Sequence, residues 1–578
     1  GTQRLPRALG IRTAAEMITS GKPRTAAALA TLPHQRLIDE LATADADGDV
    51  VTTAVRFAAS VSASSSTPSP SSSSAASSSA GGFPVLRELG VERAGDGELA
   101  ELREGLRRRG RGMVAPLVAL ELVEKAAEVA FDEGVAAERA AFTELVAGEQ
   151  SAALRYAFFA ERAARKVPGL AAGTVAREVR RVAVIGAGTM GGGIATSFAD
   201  AGLPVTIVDS GREALDRGMD VIRRDYQRQV DRGRLGAAAS AERLGLITPS
   251  LELADVAGAD LVVEAVFEDL DVKRALFAEL DRVARPGTVL ATNTSTLDVD
   301  AIAAATGRPG DVVGMHFFSP ANVMKLLEVV RADRTADDVL ATATAVGQRL
   351  GKTTVVARVC DGFIGNRMLA AYRDAAMVLL RNGSTPSDVD GAVEGFGFAM
   401  GPFRTGDLAG NDIGWAVRRR RYAEHPELAR DELSDALCER GRFGQKTGGG
   451  WYDYRAGSRE ALPSAEVDEL LATYWREHGV TRAAVAPEEI VERLLFALAD
   501  AGAHILAEGV ARRGADIDVV WLAGYGFPRH RGGPMYHADR VGLPAVLAAL
   551  RRFHGDDGWR PAPLLESLAT GGGFLTAG

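Results

Sequence analysis

Within Gly314-Met-His316-Phe-Phe-Ser-Pro320 a histidine closes an apolar run. Twelve residues later, Lys325-Leu-Leu-Glu328-Val-Val330 sets a carboxylate among apolar side chains. A buried glutamate is costly unless paired, and a nearby imidazole is its natural partner. Such a pair suits oxidation of an alcohol. The imidazole takes the hydroxyl proton while hydride leaves the same carbon, and the carboxylate orients the ring and stabilises the imidazolium. The other seven of the 8 histidines lie in contexts without this frame and read as structural or surface residues. Ser295, in Thr292-Asn293-Thr-Ser295-Thr296, stands in a strand-end loop where its hydroxyl could reach a substrate oxygen. Read alone, such a turn more often serves local backbone capping. Asn366, after Gly362-Phe-Ile-Gly365, opens an apolar helix and alone reads as an N-cap or an interior polar residue.

A hydride needs an acceptor, and residues 181–209 are built to hold one. Val182-Ala-Val184-Ile185 is an uncharged run that predicts a strand buried on both faces. Gly186-Ala-Gly188-Thr189-Met190-Gly191 follows, then a helix from about Met190 to Ala201, a stop at Gly202, and a second strand over Leu203 to Val208. Gly186 permits the tight turn, Gly188 lets the backbone approach a pyrophosphate, and Gly191 allows close helix–strand packing. The helix start at Thr189 and Met190 offers unpaired N–H groups and a positive dipole end to phosphates. Asp209 ends the second strand, placed to accept hydrogen bonds from a ribose diol and to repel a 2′-phosphate, so NAD is expected over NADP. The whole strand–loop–helix–strand–acid frame carries this reading; a lone glycine triplet would not.

The elements around these residues follow a consistent order. Asp260-LVVEAVFE, Gly287-TVLATNTST and Asp311-VVGMHFFSP are further strand-to-loop transitions, and alternation with helices predicts a parallel, doubly wound sheet to about residue 355. Beyond Val359 the pattern is all-helical and repeats. Ile364-Gly-Asn366-Arg367 opens one unit and Ile490-Val-Glu492-Arg493 the other. Each continues to an aspartate pair (Asp388/Asp390, Asp516/Asp518), a turn (Gly395-Phe-Gly-Phe398, Gly524-Tyr-Gly-Phe527) and a glycine–proline (Gly401-Pro402, Gly533-Pro534). Two helical domains from a duplication are expected, and with Glu492 in place of Asn366, only the first need be functional. Upstream, helices are expected around Thr13–Ser20 and Pro33–Leu41. The serine tract from Ser60 to Gly82 is expected to be disordered, since it lacks apolar surface to offset its ordering entropy.

At 578 residues the chain is too long for one core. A net charge of −9, with 46% apolar and 25% charged residues, describes a soluble globular protein without the electrostatic footprint of a nucleic-acid binder. No metal site is expected. Cys360 and Cys438 are too few for a disulfide framework, and no apolar run is long enough to span a bilayer.

Taken together, VAVIGAGTMGGGIA, VVEAVFEDLDVKRALF, NTST, GMHFFSPANVMKLLEVV and DGFIGNRML resemble the 3-hydroxyacyl-CoA dehydrogenase family, in the arrangement of the multifunctional β-oxidation enzymes. GRFGQKTGGGWYDY and GYGFPRHRGGPM resemble the peroxisomal-type bifunctional branch. The resemblance implies NAD-dependent oxidation of an L-3-hydroxyacyl-CoA to the 3-ketoacyl-CoA, with His316 as base, Glu328 as its partner, Ser295 at the substrate 3-oxygen and Asn366 in the active site. It also implies that Glu268 and Lys273 lie near the nicotinamide half of the cofactor and that Asn293 is a cofactor-binding residue, and it makes Arg232 and Arg234 candidates for the CoA phosphates.

The implied architecture is α/β. A partial crotonase-type segment (1–58), a serine-rich insert (59–82) and a helical linker (83–178) precede a Rossmann-type NAD domain (179–356). Two helical copies follow, at 357–456 and 485–578. Because residues 1–7 resemble the peptide after the second catalytic glutamate of a hydratase domain, hydratase activity is not expected from this chain. A full-length form would be bifunctional. A monomer or homodimer is expected, cytoplasmic in a bacterium or in the peroxisomal matrix of a eukaryote, although the C-terminus is not an SKL-type address. The rival readings are a dehydrogenase of free hydroxy acids and an inert binding protein that keeps the NAD fold.

Overall fold

A computed structural model describes residues 1–33, 35–39, 41, 50–64, 85–95, 97–167, 169–171, 173–555 and 559–576. Two units form, Gly1–Ala152 and Ala153–Gly578.

In the first unit every described element is helical. Ile11, Leu99, Leu106, Leu120 and Val123 share one small core, and Gln3 Nε2 donates to Leu122 O at 2.7 Å. The start of the chain therefore packs with residues of the expected linker, and residues from 153 onward join the other unit. The helix expected near Thr13 runs Ile11–Ser20. None forms over the described residues between Pro33 and Leu41. There Gln35 Oε1 takes the N–H groups of Leu37 and Ile38, both at 2.8 Å, that a helix would need. The first residues of the serine tract end a helix, Val50–Ser64; residues 65–82 of that tract lie outside the described residues.

The second unit is built on an eight-stranded sheet: β1 (Val182–Ile185), β2 (Val205–Val208), β3 (Ile247–Ser250), β4 (Leu261–Glu264), β5 (Val289–Thr292), β6 (Val312–Phe317), β7 (Leu326–Arg331) and β8 (Thr353–Arg358). Its order is β3-β2-β1-β4-β5-β6-β7-β8. Every pairing is parallel except β6–β7, which is antiparallel, so β7 and β8 run against the rest. The expected parallel sheet is thus mixed. The physical reason is the short connection from Phe318 to Lys325, which cannot hold the crossover that a parallel neighbour requires.

The two-residue period of the strands decides what each face meets. Ala183, Val262, Val312, Leu326 and Val330 join the core of the helical copies. Val184, Val263, Met315 and Val329 pack on the opposite face with Ile194, Phe198 and Val339. His316 and Glu328 have the parity of the first set, so both stand on the face covered by helices. The copies repeat element for element. Gly365–Arg381, Pro386–Phe396 and Pro402–Ala409 correspond to Pro487–Ala507, Gly514–Gly524 and Pro534–Val541.

Candidate active site

The cradle after β1 divides its glycines by what a side chain would meet. Gly186 has φ 98°, and a Cβ there would lie 2.6 Å from Ala265 O. A Cβ on Gly191 would lie 1.8 Å from Gly186 O, so the Thr189–Asp200 helix can seat against the turn only without one. Around Gly188 nothing lies within 4 Å of that position; its backbone faces open space. Asp209 Oδ2 accepts from Ala187 N at 2.9 Å and Oδ1 from Gly211 N at 3.0 Å, which ties the acid to the loop. Gly188, Thr189, Asp209 and Arg217 line a cavity of about 390 Å³. Open backbone at Gly188, free N–H groups at a helix start and an acid at the end of β2 fit a dinucleotide.

One strand over, Glu264 ends β4 wholly buried, and Lys273, also 0% exposed, donates to both of its oxygens at 2.8 and 3.1 Å. Thr292 Oγ1 and Val266 N complete the shell of Glu264 at 2.6 and 2.7 Å. Lys273 also reaches Glu268 Oε2 at 3.2 Å. Its ammonium is committed to two carboxylates, so it braces Glu268 and offers no surface to a ligand. Glu268 Oε1 accepts from Thr294 Oγ1 (2.7 Å), Ser295 N (2.7 Å) and Ser295 Oγ (3.1 Å). Burial raises the pKa of Glu268, but Lys273 and these donors outweigh it, and the carboxyl sits below its ordinary value. Asn293 Oδ1 accepts from Phe317 N at 2.8 Å, clamping the end of β5 to the strand that carries the histidine.

His316 and Glu328 are directly opposed across β6 and β7. The twelve-residue spacing is that of a reversed strand pair. His316 Nδ1 lies 2.8 Å from Glu328 Oε2, with the imidazole 5% exposed and Glu328 fully buried. Phe318 and Phe363 flank the ring, with centroids at 4.3 and 5.7 Å. The other glutamate oxygen, Oε1, accepts the N–H groups of Ile364 (3.2 Å) and Gly365 (3.0 Å), at the start of the helix that bears Asn366. One carboxylate therefore fixes both the ring of the histidine and the approach of the first helical copy. Asn366 is partly exposed, and its Oδ1 accepts from Tyr525 Oη at 2.9 Å. Ser295 and His316 share no hydrogen bond among the described residues; the β5–β6 register, Thr292 opposite Gly314, sets their loops side by side. Arg232 and Arg234 are exposed beyond the end of the Arg212–Asp231 helix, outside this cluster.

The 3-hydroxyacyl-CoA dehydrogenase NAD-binding domain matches residues 181–360, and the 3-hydroxyacyl-CoA dehydrogenase C-terminal domain matches twice, at 362–454 and 490–576. The chain belongs to the 3-hydroxyacyl-CoA dehydrogenase family. It is an NAD-dependent oxidoreductase. A peroxisomal bifunctional enzyme of Danio rerio is 41% identical over 593 residues, covering 99% of this chain and 79% of that protein. The 3-hydroxybutyryl-CoA dehydrogenase of Escherichia coli K12 superposes with a TM-score of 0.59 at 29% identity, over 68% of this chain and 99% of that one. The dehydrogenase part of multifunctional enzyme 1 from C. elegans does so at 0.55 and 25% identity, over 71% and 96%. Among the described residues no helix is long and apolar enough to cross a membrane.

Two residues around this cluster lie in peptides read from the sequence without being singled out there. Glu264 sits inside an apolar strand peptide, where the only mark of its own burial is a charge among valines. Tyr525 lies in the second helical copy, far from every motif of the first, where the repeat shows only an aromatic between two glycines.

Proposed function

We infer that the chain oxidises L-3-hydroxyacyl-CoA to 3-ketoacyl-CoA as a step of fatty-acid β-oxidation, with His316 as base. The observation that carries this is the His316–Glu328 pair, 2.8 Å across a strand pair and closed off by two phenylalanines. It lies at the carboxyl end of a strand parallel to the one that feeds the glycine cradle, where ligands of open α/β sheets bind. Glu328 accepts from the Nδ1 proton, so Nε2 is the nitrogen left to take the hydroxyl proton of the substrate. As the ring becomes cationic, the fixed carboxylate stabilises it without rearranging. Ser295 and Asn366 supply hydrogen bonds to the substrate 3-oxygen and thioester region. Glu268 fixes the Ser295 loop, Lys273 holds Glu268, and Asn293 holds the β6 end. Gly186, Gly188, Thr189, Met190 and Gly191 would hold the pyrophosphate of NAD and Asp209 its adenosine ribose; bound there, NAD supplies the hydride acceptor.

Turnover of 3-hydroxybutyryl-CoA and of free 3-hydroxybutyrate, followed by NADH absorbance, tests the substrate class. Oxidation of the thioester alone is expected, and oxidation of the free acid alone would replace CoA with a small hydroxy acid. His316→Ala should abolish turnover while NAD still binds; a variant as active as the parent removes His316 from the mechanism. The names of the relatives favour peroxisomes in a eukaryotic host, which fractionation of the host cell checks.

A further inference from the structure

We propose that Tyr525, from the second helical copy, is a positioning residue for the dehydrogenase reaction: its hydroxyl sets the amide of Asn366, so the second copy completes the site of the first. This rests on the reading of Asn366 as a substrate-facing group. Tyr525 Oη donates to Asn366 Oδ1 at 2.9 Å, and that amide has no other hydrogen-bond partner among the described residues. With Oδ1 occupied, the two Nδ2 protons are the donors left for a substrate carbonyl or hydroxyl. An asparagine without this contact presents either end of its amide.

The ring is held independently of that bond. It stacks on Trp521 (centroids 4.9 Å apart, 26°) and meets Phe318 edge-on at 5.7 Å, and Phe318 itself packs on His316. A Cβ on Gly365 would lie 2.4 Å from Tyr525 Oη, so the glycine before Asn366 is what admits the phenol. Burial, with the Glu328 carboxylate nearby, raises the phenol pKa well above its ordinary value, and it remains a donor through the working pH range. The repeat supplies an independent argument. The positions equivalent to Tyr525 and Asn366 in the opposite copies are Phe396 and Glu492, which lack the hydroxyl and the amide respectively. The hydrogen-bonded pair exists on one side only, the side that holds His316.

The test is a double-mutant cycle on 3-hydroxybutyryl-CoA oxidation with Tyr525→Phe, Asn366→Ala and both together. Phenylalanine occupies this position in the first copy, so the turn accepts it, and the melting temperature should move by no more than about 3 °C. Tyr525→Phe should lower kcat/KM for the thioester by about three- to tenfold, the effect of one ordinary hydrogen bond, with KM for NAD unchanged. In the Asn366→Ala background the same change should have no further effect. An equal loss in both backgrounds, or none in the parent, overturns the proposal while leaving the reading of Asn366 intact. Full activity of Asn366→Ala overturns that reading, and the proposal with it.

Discussion

Each helical copy buries an aspartate beneath the start of its third helix. In the first, Asp390 accepts from Phe403 N and Arg404 N, both at 3.0 Å, and from Tyr452 Oη at 2.9 Å. In the second, Asp518 accepts from Met535 N at 2.7 Å, Tyr536 N at 3.0 Å and Tyr156 Oη at 2.6 Å. Gly401 and Gly533 leave the room, since a Cβ would fall 2.2 and 2.4 Å from the respective aspartate. A second pair matches as well: Asp407 takes Trp451 N and Tyr452 N, and Asp539 takes Phe574 N and Leu575 N. The backbone donors are the same in kind; the tyrosines differ in origin. Tyr452 belongs to its own copy, whereas Tyr156 comes from the Glu149–Ala164 helix, upstream of the family match. Duplication kept the buried frame and let the groups around it diverge. The first copy holds an amide at the site. The second holds a phenol against that amide and takes its own brace from the linker.

The largest effects should come from the shared frame. Asp390→Ala and Asp518→Ala each strand one buried and one part-buried N–H group, with a tyrosine hydroxyl, and should destabilise by about 3 kcal/mol in urea unfolding. A loss confined to one of them would show that the copies are not equivalent in stability. The same two residues give the pH dependence. Burial pushes Asp390 up to about 7 and Asp518 up to about 8, although their donors pull the other way. Both then bind a proton more tightly folded than unfolded. Their contribution is full below about pH 4, the ordinary carboxylate range, and is lost as pH rises through 7 to 8. Melting temperature should fall over that window, and Asp390→Asn with Asp518→Asn should flatten the slope.

Next in size, Asn366→Ala should lower kcat by about 10- to 100-fold. Glu492→Ala should leave it within about twofold, since Glu492 is half-exposed and among the described residues reaches only Arg552, at 3.9 Å. A matching loss in the Glu492 variant would mean that the second copy carries chemistry of its own. The smallest effect tests the borrowed brace. Tyr156→Phe and Tyr452→Phe should each cost about 1 kcal/mol, measured by chemical denaturation. A Tyr156→Phe protein as stable as the parent would break the correspondence.

The cradle, the His316–Glu328 pair and the duplication were all legible in the residues because each rests on local pattern: glycines at fixed spacing, a histidine at a strand end, a repeated turn. What stayed hidden depends on distance across the fold. The reversal of β7 follows from a loop too short for a crossover, which no periodicity reports. Lys273 looks like a ligand contact until Glu264 is seen to bury it. The expectation that only the first copy need be functional meets Tyr525, where the turn signature Gly-aromatic-Gly-Phe conceals the one oxygen that separates Tyr525 from Phe396.

Glu328 spends one oxygen on the imidazole and the other on the N–H groups that begin the first helical copy. A shift of that helix start away from the sheet would therefore strip one oxygen of its donors and loosen the carboxylate that orients the ring. The alignment of the imidazole and the seating of the first helical copy are thereby tied to one carboxylate.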